Sequence, residues 1–335
     1  MRFVVLLVLA ASPGLCGDWS PRLAAGYLDA REKSWFEWPV TKAAGGPCVS
    51  CHTNLTYLLA RPSLRKALGE SEPGVYERGL LDALRARVDR TDGTRLLPAF
   101  SKEPHASEAL GVEAIFAALF LPDSKAAFDR LWSLQIQDGP SKGAWKWFSL
   151  ELDPWEMPDS VFYGATLAAL AVSNAPAGNR DQPHVDALIS YVRRTEESQP
   201  LHNRLMLLWA SAKLPTLLPE KTRSAIIDEA LSKRQEDGGW TMESLGPWKE
   251  HAQAPAAAGS NAYATALAAF ALEEAGVPAA RVSKSLNWLK VHQNPDSGNW
   301  TAISMNKRYA ADSMMVGFMN DAATAFASLA LVNAR

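Results

Sequence analysis

The sequence predicts an all-α protein assembled from about six helical hairpins. Three observations carry that expectation. Apolar residues recur with a helical rather than an alternating period along most of the 335 residues. Two kinds of helix alternate, one with a single apolar stripe and one apolar nearly all round. The pair then repeats at a spacing of roughly 50 residues.

The repeat is clearest in three stretches: "LWSLQIQDGPSKGAWKW" from Leu131, "LSKRQEDGGW" from Leu231 and "WLKVHQNPDSGNW" from Trp288. Each is an amphipathic helical end carrying Gln, then an Asp/Gly turn, then Gly and Trp. An Ala-rich helix follows each: "DSVFYGATLAALAV" from Asp159, "GSNAYATALAAFAL" from Gly259 and "MNDAATAFASLALV" from Met319. Asp, Ser and Asn at these openings read as N-caps. Helices apolar on every side must be covered on several sides, so they form an inner layer and the striped helices an outer one. The buried tryptophans are expected to offer their indole N–H groups to carbonyls at the hairpin turns.

Weaker copies complete the set. "HVDALISYVRRTEES" from His184 pairs with "LHNRLMLLWASAKL" from Leu201, and "GVYERGLLDALRARV" from Gly74 pairs with "ASEALGVEAIFAALFL" from Ala106. "RLAAGYLDAREKSWFEWP" from Arg22 fits the outer pattern, and "CVSCHTNLTYLLA" from Cys48 then fits the inner one.

The N-terminus reads as a signal peptide over residues 1–17: Met1-Arg2, the apolar run "FVVLLVLAA", then "SPGLCGDWS". The mature chain, 18–335, is expected to be one exported, periplasmic domain. Cys16 admits lipoprotein anchoring, but Pro13-Gly14-Leu15 is a poor lipobox. No later segment reads as long and apolar enough to cross a membrane. A net charge of −2 gives no electrostatic case for nucleic acid.

"RQEDGGW" and "HQNPDSGNW" resemble the QW-type repeats of squalene–hopene and oxidosqualene cyclases, which share an α/α toroid with protein prenyltransferases. The likeness runs from about Ala126 to the C-terminus, dividing the chain into a part at 18–125 and a QW-like part at 126–335. It implies a ring of inner helices within a ring of outer ones, around an apolar cavity. Against cyclase chemistry, the chain has no Asp-x-Asp-Asp and no Asp-Asp-x-x-Asp motif. The prenyltransferase zinc site, with Asp, Cys and His on separate segments, is not reproduced either.

Two of the three cysteines, with one of the six histidines, form Cys48-Val49-Ser50-Cys51-His52. Cys-x-x-Cys-His is the haem-attachment motif of c-type cytochromes. Resemblance to it implies one covalent haem c, bound through Cys48 and Cys51, with His52 as proximal iron ligand. A dithiol or disulfide and a metal site are the alternatives. A zinc reading lacks a fourth ligand, and a thioredoxin-like reading lacks its βαβ context. By register, the motif opens the first inner helix, which sets the haem at the mouth of a toroid cavity.

The sixth iron position has five candidates: His105, Met157, Met314, Met315 and Met319. Trp147, Trp155 and Trp248 are candidates to line a ligand pocket, with Tyr163 and Tyr263 at the same mouth. Glu156 and Asp159 are possible acid–base groups, Asp159 equally an N-cap, and His251 falls in a long loop. His184, His202 and His292 read as surface or core residues. The function expected is electron transfer with an unidentified redox partner. The alternative is a haem enzyme or sensor acting on a hydrophobic molecule, of the terpenoid class by the resemblance, in which the catalytic residues are unassigned.

Overall fold

The computed structural model describes residues 19–43, 46–88, 98–256 and 258–334. The expected signal peptide and Cys16 lie outside the described residues. Within these residues the protein is all-α. The helices are α1 (Pro21–Glu37), α2 (Asn54–Ala67), α3 (Val75–Arg85), α4 (His105–Phe120), α5 (Lys125–Ser133) and α6 (Val161–Asn174). They continue as α7 (Gln182–Thr195), α8 (Leu201–Lys213), α9 (Glu220–Ser232), α10 (Ala262–Glu274), α11 (Ala279–His292) and α12 (Phe318–Asn333). A two-residue antiparallel pairing, β1 (Lys42–Ala43) with β2 (Gly46–Pro47), immediately precedes Cys48.

Outer and inner helices alternate along the chain as read from the repeat, with the even-numbered member inside, but α4, α6, α8 and α10 each pack mainly on the outer helix that follows, not on the one that precedes. Helices α6, α10 and α12 are buried along nearly their whole length. Their alanines let neighbours approach closely, and the inner helices pack in the order α4, α6, α8, α10, α12, α2. The last hairpin therefore lies against the first.

The tryptophans of the three strong repeats are equivalent. Trp145, Trp240 and Trp300 are fully buried. Each indole N–H donates at 2.7 Å, to the carbonyls of Leu131, Ala230 and Leu289 respectively. These acceptors lie near the end of the outer helix, not in the turn itself. The strong donor is satisfied by carbonyls that a helix end leaves free.

Glutamine and glycine join one hairpin to the next. Gln135 donates to the carbonyls of Gly143 and His184 at 3.0 and 2.9 Å, tying the third hairpin to α7. Gln293 repeats this at the last junction, donating to Gly298 and Ser20 at 2.9 and 3.0 Å, while Ser20 N–H returns a 2.6 Å bond. Gly298 has φ +78° and a Cβ there would come within 2.4 Å of the Leu23 carbonyl. Only glycine suits both demands.

Two capping expectations divide. Asn261 caps α10, accepting from Tyr263 and Ala264 N–H at 2.9 and 3.2 Å. Asp159 is exposed and makes no cap, because a short 3₁₀ turn, Pro158–Ser160, intervenes before α6. The segment Met314–Asn333 has a mean hydropathy of 1.4 over its most apolar window, enough by composition to cross a membrane, contrary to the sequence expectation. That window is 72% buried, its apolar surface being that of a core helix packed on α2 and α10.

Candidate functional site

Four elements hold the Cys48–His52 turn in place. Cys48 N–H donates to the Thr41 carbonyl at 2.8 Å, and Trp35 Nε1 donates to the Cys48 carbonyl at 2.9 Å. Arg87, almost wholly buried, reaches from beyond α3 to the carbonyls of Gly46 and Pro47 at 2.8 and 2.7 Å. Asn54, the first residue of α2, accepts from Ser50 N–H at 2.8 Å and donates to Glu32 Oε2 at 2.7 Å. The turn thus opens the first inner helix, in the register read from the repeat.

Burial pushes the Cys48 thiol up to about 12 and Cys51 well above its ordinary value. Both are thiols at neutral pH, the reverse of the depressed pKa that activates a redox dithiol. No cluster of three or more His, Cys, Asp or Glu groups able to hold a metal ion occurs among the described residues.

His52 is oriented by a relay that crosses from the first hairpin to the last. Its Nδ1 lies 3.2 Å from Thr53 Oγ1, and Thr53 donates its hydroxyl proton to Asp321 Oδ2 at 2.8 Å. With that proton committed, Thr53 Oγ1 is left as an acceptor, so the network assigns the imidazole proton to Nδ1. Asp321 is fully buried and also accepts from Arg31 Nε at 2.7 Å, Arg31 Nη2 at 3.0 Å and Tyr27 O–H at 2.9 Å. Burial draws its pKa upward, but donors on every side favour the carboxylate. Thr53 stands at the N-cap of α2 without capping it, its hydroxyl being engaged by Asp321.

The His52 ring keeps some surface open to a small cavity, yet protein packs around it closely. Phe318 stacks on it at 3.6 Å, and Trp155 lies 6.1 Å away. Burial, and secondarily the positive charge of Arg31, lower its pKa to about 3. A neutral imidazole with its proton on Nδ1 carries its lone pair on Nε2, which makes no hydrogen bond among the described residues.

The cavity beside His52 measures about 110 Å³, and its lining includes Trp155, Glu156, Tyr309, Met315, Phe318 and Met319. Two of the five distal candidates, Met315 and Met319, therefore share a cavity with His52. The other three do not line it. Met314 faces a separate surface cavity with Arg31 and Trp38, and its carbonyl accepts from Arg31 at 2.8 Å. His105 opens α4 and pairs through Nδ1 with Glu108 at 2.7 Å. Met157 meets the 3₁₀ turn before α6, its N–H donating to Ser160 Oγ at 3.0 Å.

The donor types match a c-type haem, with an imidazole and two thioethers lining one cavity, but the thiols of Cys48 and Cys51 do not line it. The volume does not fit as packed. At about 110 Å³ the space falls below that of ordinary small-molecule sites. A macrocycle requires the covering loops to stand further from α2 than they do here.

The remaining candidates separate by position. Glu156 lines the His52 cavity, and burial raises its carboxyl to about 7. Trp147 is buried against Gly164 of α6 and donates to the Trp155 carbonyl at 2.7 Å, so it is a packing residue. Trp155 Nε1 donates to Tyr263 O–H at 3.0 Å, and Tyr263 contacts His202 Nε2 at 2.8 Å. Tyr163 stacks on His202 at 5.7 Å, and its hydroxyl has no hydrogen-bond partner among the described residues. His202 is thus the centre of a buried polar cluster inside the inner helices. Its position near the start of α8 was the sequence signal available. His184 and His292 stack on Trp132 and Trp288 of the outer layer.

Three long inter-helix loops meet above these residues. The Asp153 backbone exchanges two hydrogen bonds with the Asn306 side chain, at 2.9 and 2.8 Å, and Asp153 Oδ2 accepts from Lys249 N–H at 3.1 Å. Trp248 and His251 line a second cavity of about 600 Å³, which shares Ser304 with the cavity at His52.

Fold and site together define an all-helical protein of repeated hairpins whose first inner helix opens on a Cys-x-x-Cys-His turn. No protein-family model matches the chain, and no curated protein matches it in sequence.

Proposed function

We propose that this is an exported, periplasmic c-type haem protein with an electron-transfer role. Cys48 and Cys51 would form the thioethers and His52 would ligate the iron. The observation that carries the reading is the His52 relay. Its Nδ1 proton is directed to Thr53, whose hydroxyl donates in turn to Asp321, and its Nε2 belongs to a ring lining a cavity with Met315 and Met319. A second hydrogen bond of this kind fixes the tautomer and orientation that a metal-binding histidine needs. Haem bound there would supply an iron centre able to take up and give back one electron.

The packing of the last hairpin on the first supports an α/α toroid. The apolar N-terminal run supports export, with Cys16 anchoring a secondary route. A second reading, a haem enzyme or sensor acting on a hydrophobic ligand, is favoured by the 600 Å³ cavity. Cyclase chemistry has no support, since neither acidic motif is present.

The test is an absorption spectrum of protein made in a periplasm with active haem-attachment machinery, oxidised and reduced, with and without carbon monoxide. Haem bands that resist extraction and ignore carbon monoxide are the expected result. A carbon monoxide-sensitive spectrum would transfer the case to the enzyme or sensor. No haem bands at all would overturn the proposal and return Cys48 and Cys51 to a dithiol or metal role.

A further inference from the structure

The 600 Å³ cavity between the α9–α10 and α11–α12 loops lies within the range of small-molecule sites, about 300–1,000 Å³. We propose that it binds a small, uncharged phenol: an aromatic ring bearing one hydroxyl group. The site goes beyond the haem reading and does not depend on it.

The apolar wall is made by Met242, Trp248, Ile303 and Met305. Trp248 Nε1 already donates to the Met242 carbonyl at 2.6 Å, so the indole offers its face and not its N–H. Thioethers beside an indole face suit an aromatic ring, through sulfur–aromatic contact and offset stacking. Ile303 is 39% exposed, a large apolar side chain left uncovered at this opening.

Of the uncharged polar side chains in the lining, Asn261 Oδ1 and Ser304 Oγ already accept from backbone N–H groups, which leaves His251. His251 Nε2 is sealed from solvent, has no hydrogen-bond partner and lies 3.7 Å from Oδ2 of the buried Asp153. With Nε2 turned to that carboxylate, Nδ1, which has no hydrogen bond among the described residues, is the ring nitrogen left to a ligand. A hydroxyl group is the donor that matches it. Charge argues against an anion, because Lys249 is already ion-paired with Glu151. The other charged groups at the opening are the exposed carboxylates Glu243 and Glu250. An aromatic carboxylate would meet repulsion where a phenol would not.

Isothermal titration of the full-length secreted protein with three probes tests this: para-cresol, its methyl ether para-methylanisole, and para-toluate. Para-cresol is expected to bind at one site. The ether, lacking the donated proton, should bind about tenfold more weakly, the loss of one hydrogen bond. Para-toluate should give no heat. His251→Phe keeps a ring in place but removes the acceptor, so it should lower para-cresol affinity to that of the ether and leave the ether unchanged. Circular dichroism of the variant checks that it folds. Equal binding of cresol and ether, preferential binding of toluate, no binding of any probe, or an indifferent His251→Phe would each overturn the proposal. None of these results bears on haem attachment, which the absorption spectrum decides separately.

Discussion

Thr53 donates its hydroxyl proton to Asp321 at 2.8 Å, joining residues 268 positions apart in the sequence. This bond therefore both joins the last hairpin to the first, alongside those from Tyr27 and Arg31, and fixes the tautomer of His52. Asp321 holds Arg31 as well, and that side chain is only 16% exposed. Asp321→Ala leaves a largely buried guanidinium unpaired and should cost about 3–5 kcal/mol. Thr53→Val removes the hydrogen bond to the charged Asp321 together with the longer contact to His52 Nδ1, and should cost about 1.5–3 kcal/mol. Urea denaturation of both variants checks the order. A smaller loss for Asp321→Ala than for Thr53→Val would mean that the carboxylate does not hold this junction.

Gly298 and Gly139 isolate the contact between hairpins from the cost of backbone conformation. Both have positive φ, +78° and +69°, but a Cβ at Gly139 meets nothing within 4 Å, whereas at Gly298 it would strike the Leu23 backbone. Gly139→Ala should cost about 1–2 kcal/mol, the left-handed conformation alone. Gly298→Ala should cost at least about 1 kcal/mol more, because α1 must shift. Equal losses in thermal denaturation would show that the junction yields freely.

Acid should weaken the fold through His202. Burial lowers its pKa from 6.5 to about 4, so between those values the unfolded chain takes up a proton that the folded protein refuses. Stability from neutral His202 is complete above about pH 6.5 and is lost as the pH falls toward 4, by an amount on the order of 3 kcal/mol. His52 without iron acts in the same direction. Glu156 and Glu273 act oppositely, since burial raises them to about 7 and 8, and their contribution is lost as the pH rises. The difference between wild type and His202→Asn separates the histidine from this background. Urea midpoints at pH 7, 6 and 5 should converge as the wild type loses its advantage; parallel curves would exclude His202 as the acid-sensitive group.

The alternation of outer and inner helices was legible because its causes are local. An Ala-rich helix apolar on all sides has to be inside, and a Gly-x-Trp turn carries its own packing instruction. Trp145, Trp240 and Trp300 accordingly occupy matching positions. Asp159 misled because a polar residue before an apolar run is read as a cap, while the intervening 3₁₀ turn depends on tertiary context. Asp321 gave no signal, since an acid in the first turn of a helix is ordinary. Its role arises only when α12 meets α1 and α2. The Asp153–Asn306 pairing spans 153 positions between two loops, and no periodicity announces such a contact. His202 likewise carries meaning only through Tyr263, on a different inner helix.

Met315 and Met319 are four positions apart, within reach of one another on a continuing helical turn, and both line the cavity of His52. If the haem proposal holds, one of these two thioethers supplies the sixth ligand. Met315→Leu and Met319→Leu each preserve volume and remove the sulfur, at a stability cost expected below about 1.5 kcal/mol. One of the two should convert a low-spin, carbon monoxide-insensitive spectrum into a high-spin one that binds carbon monoxide. His105→Ala, Met157→Leu and Met314→Leu should leave the spectrum unchanged, because those side chains do not line the cavity. A wild-type-like spectrum for both cavity variants would remove thioether ligation. A spectral change from His105→Ala or Met314→Leu would mean that the loops above α2 rearrange far more on haem attachment than widening the cavity requires.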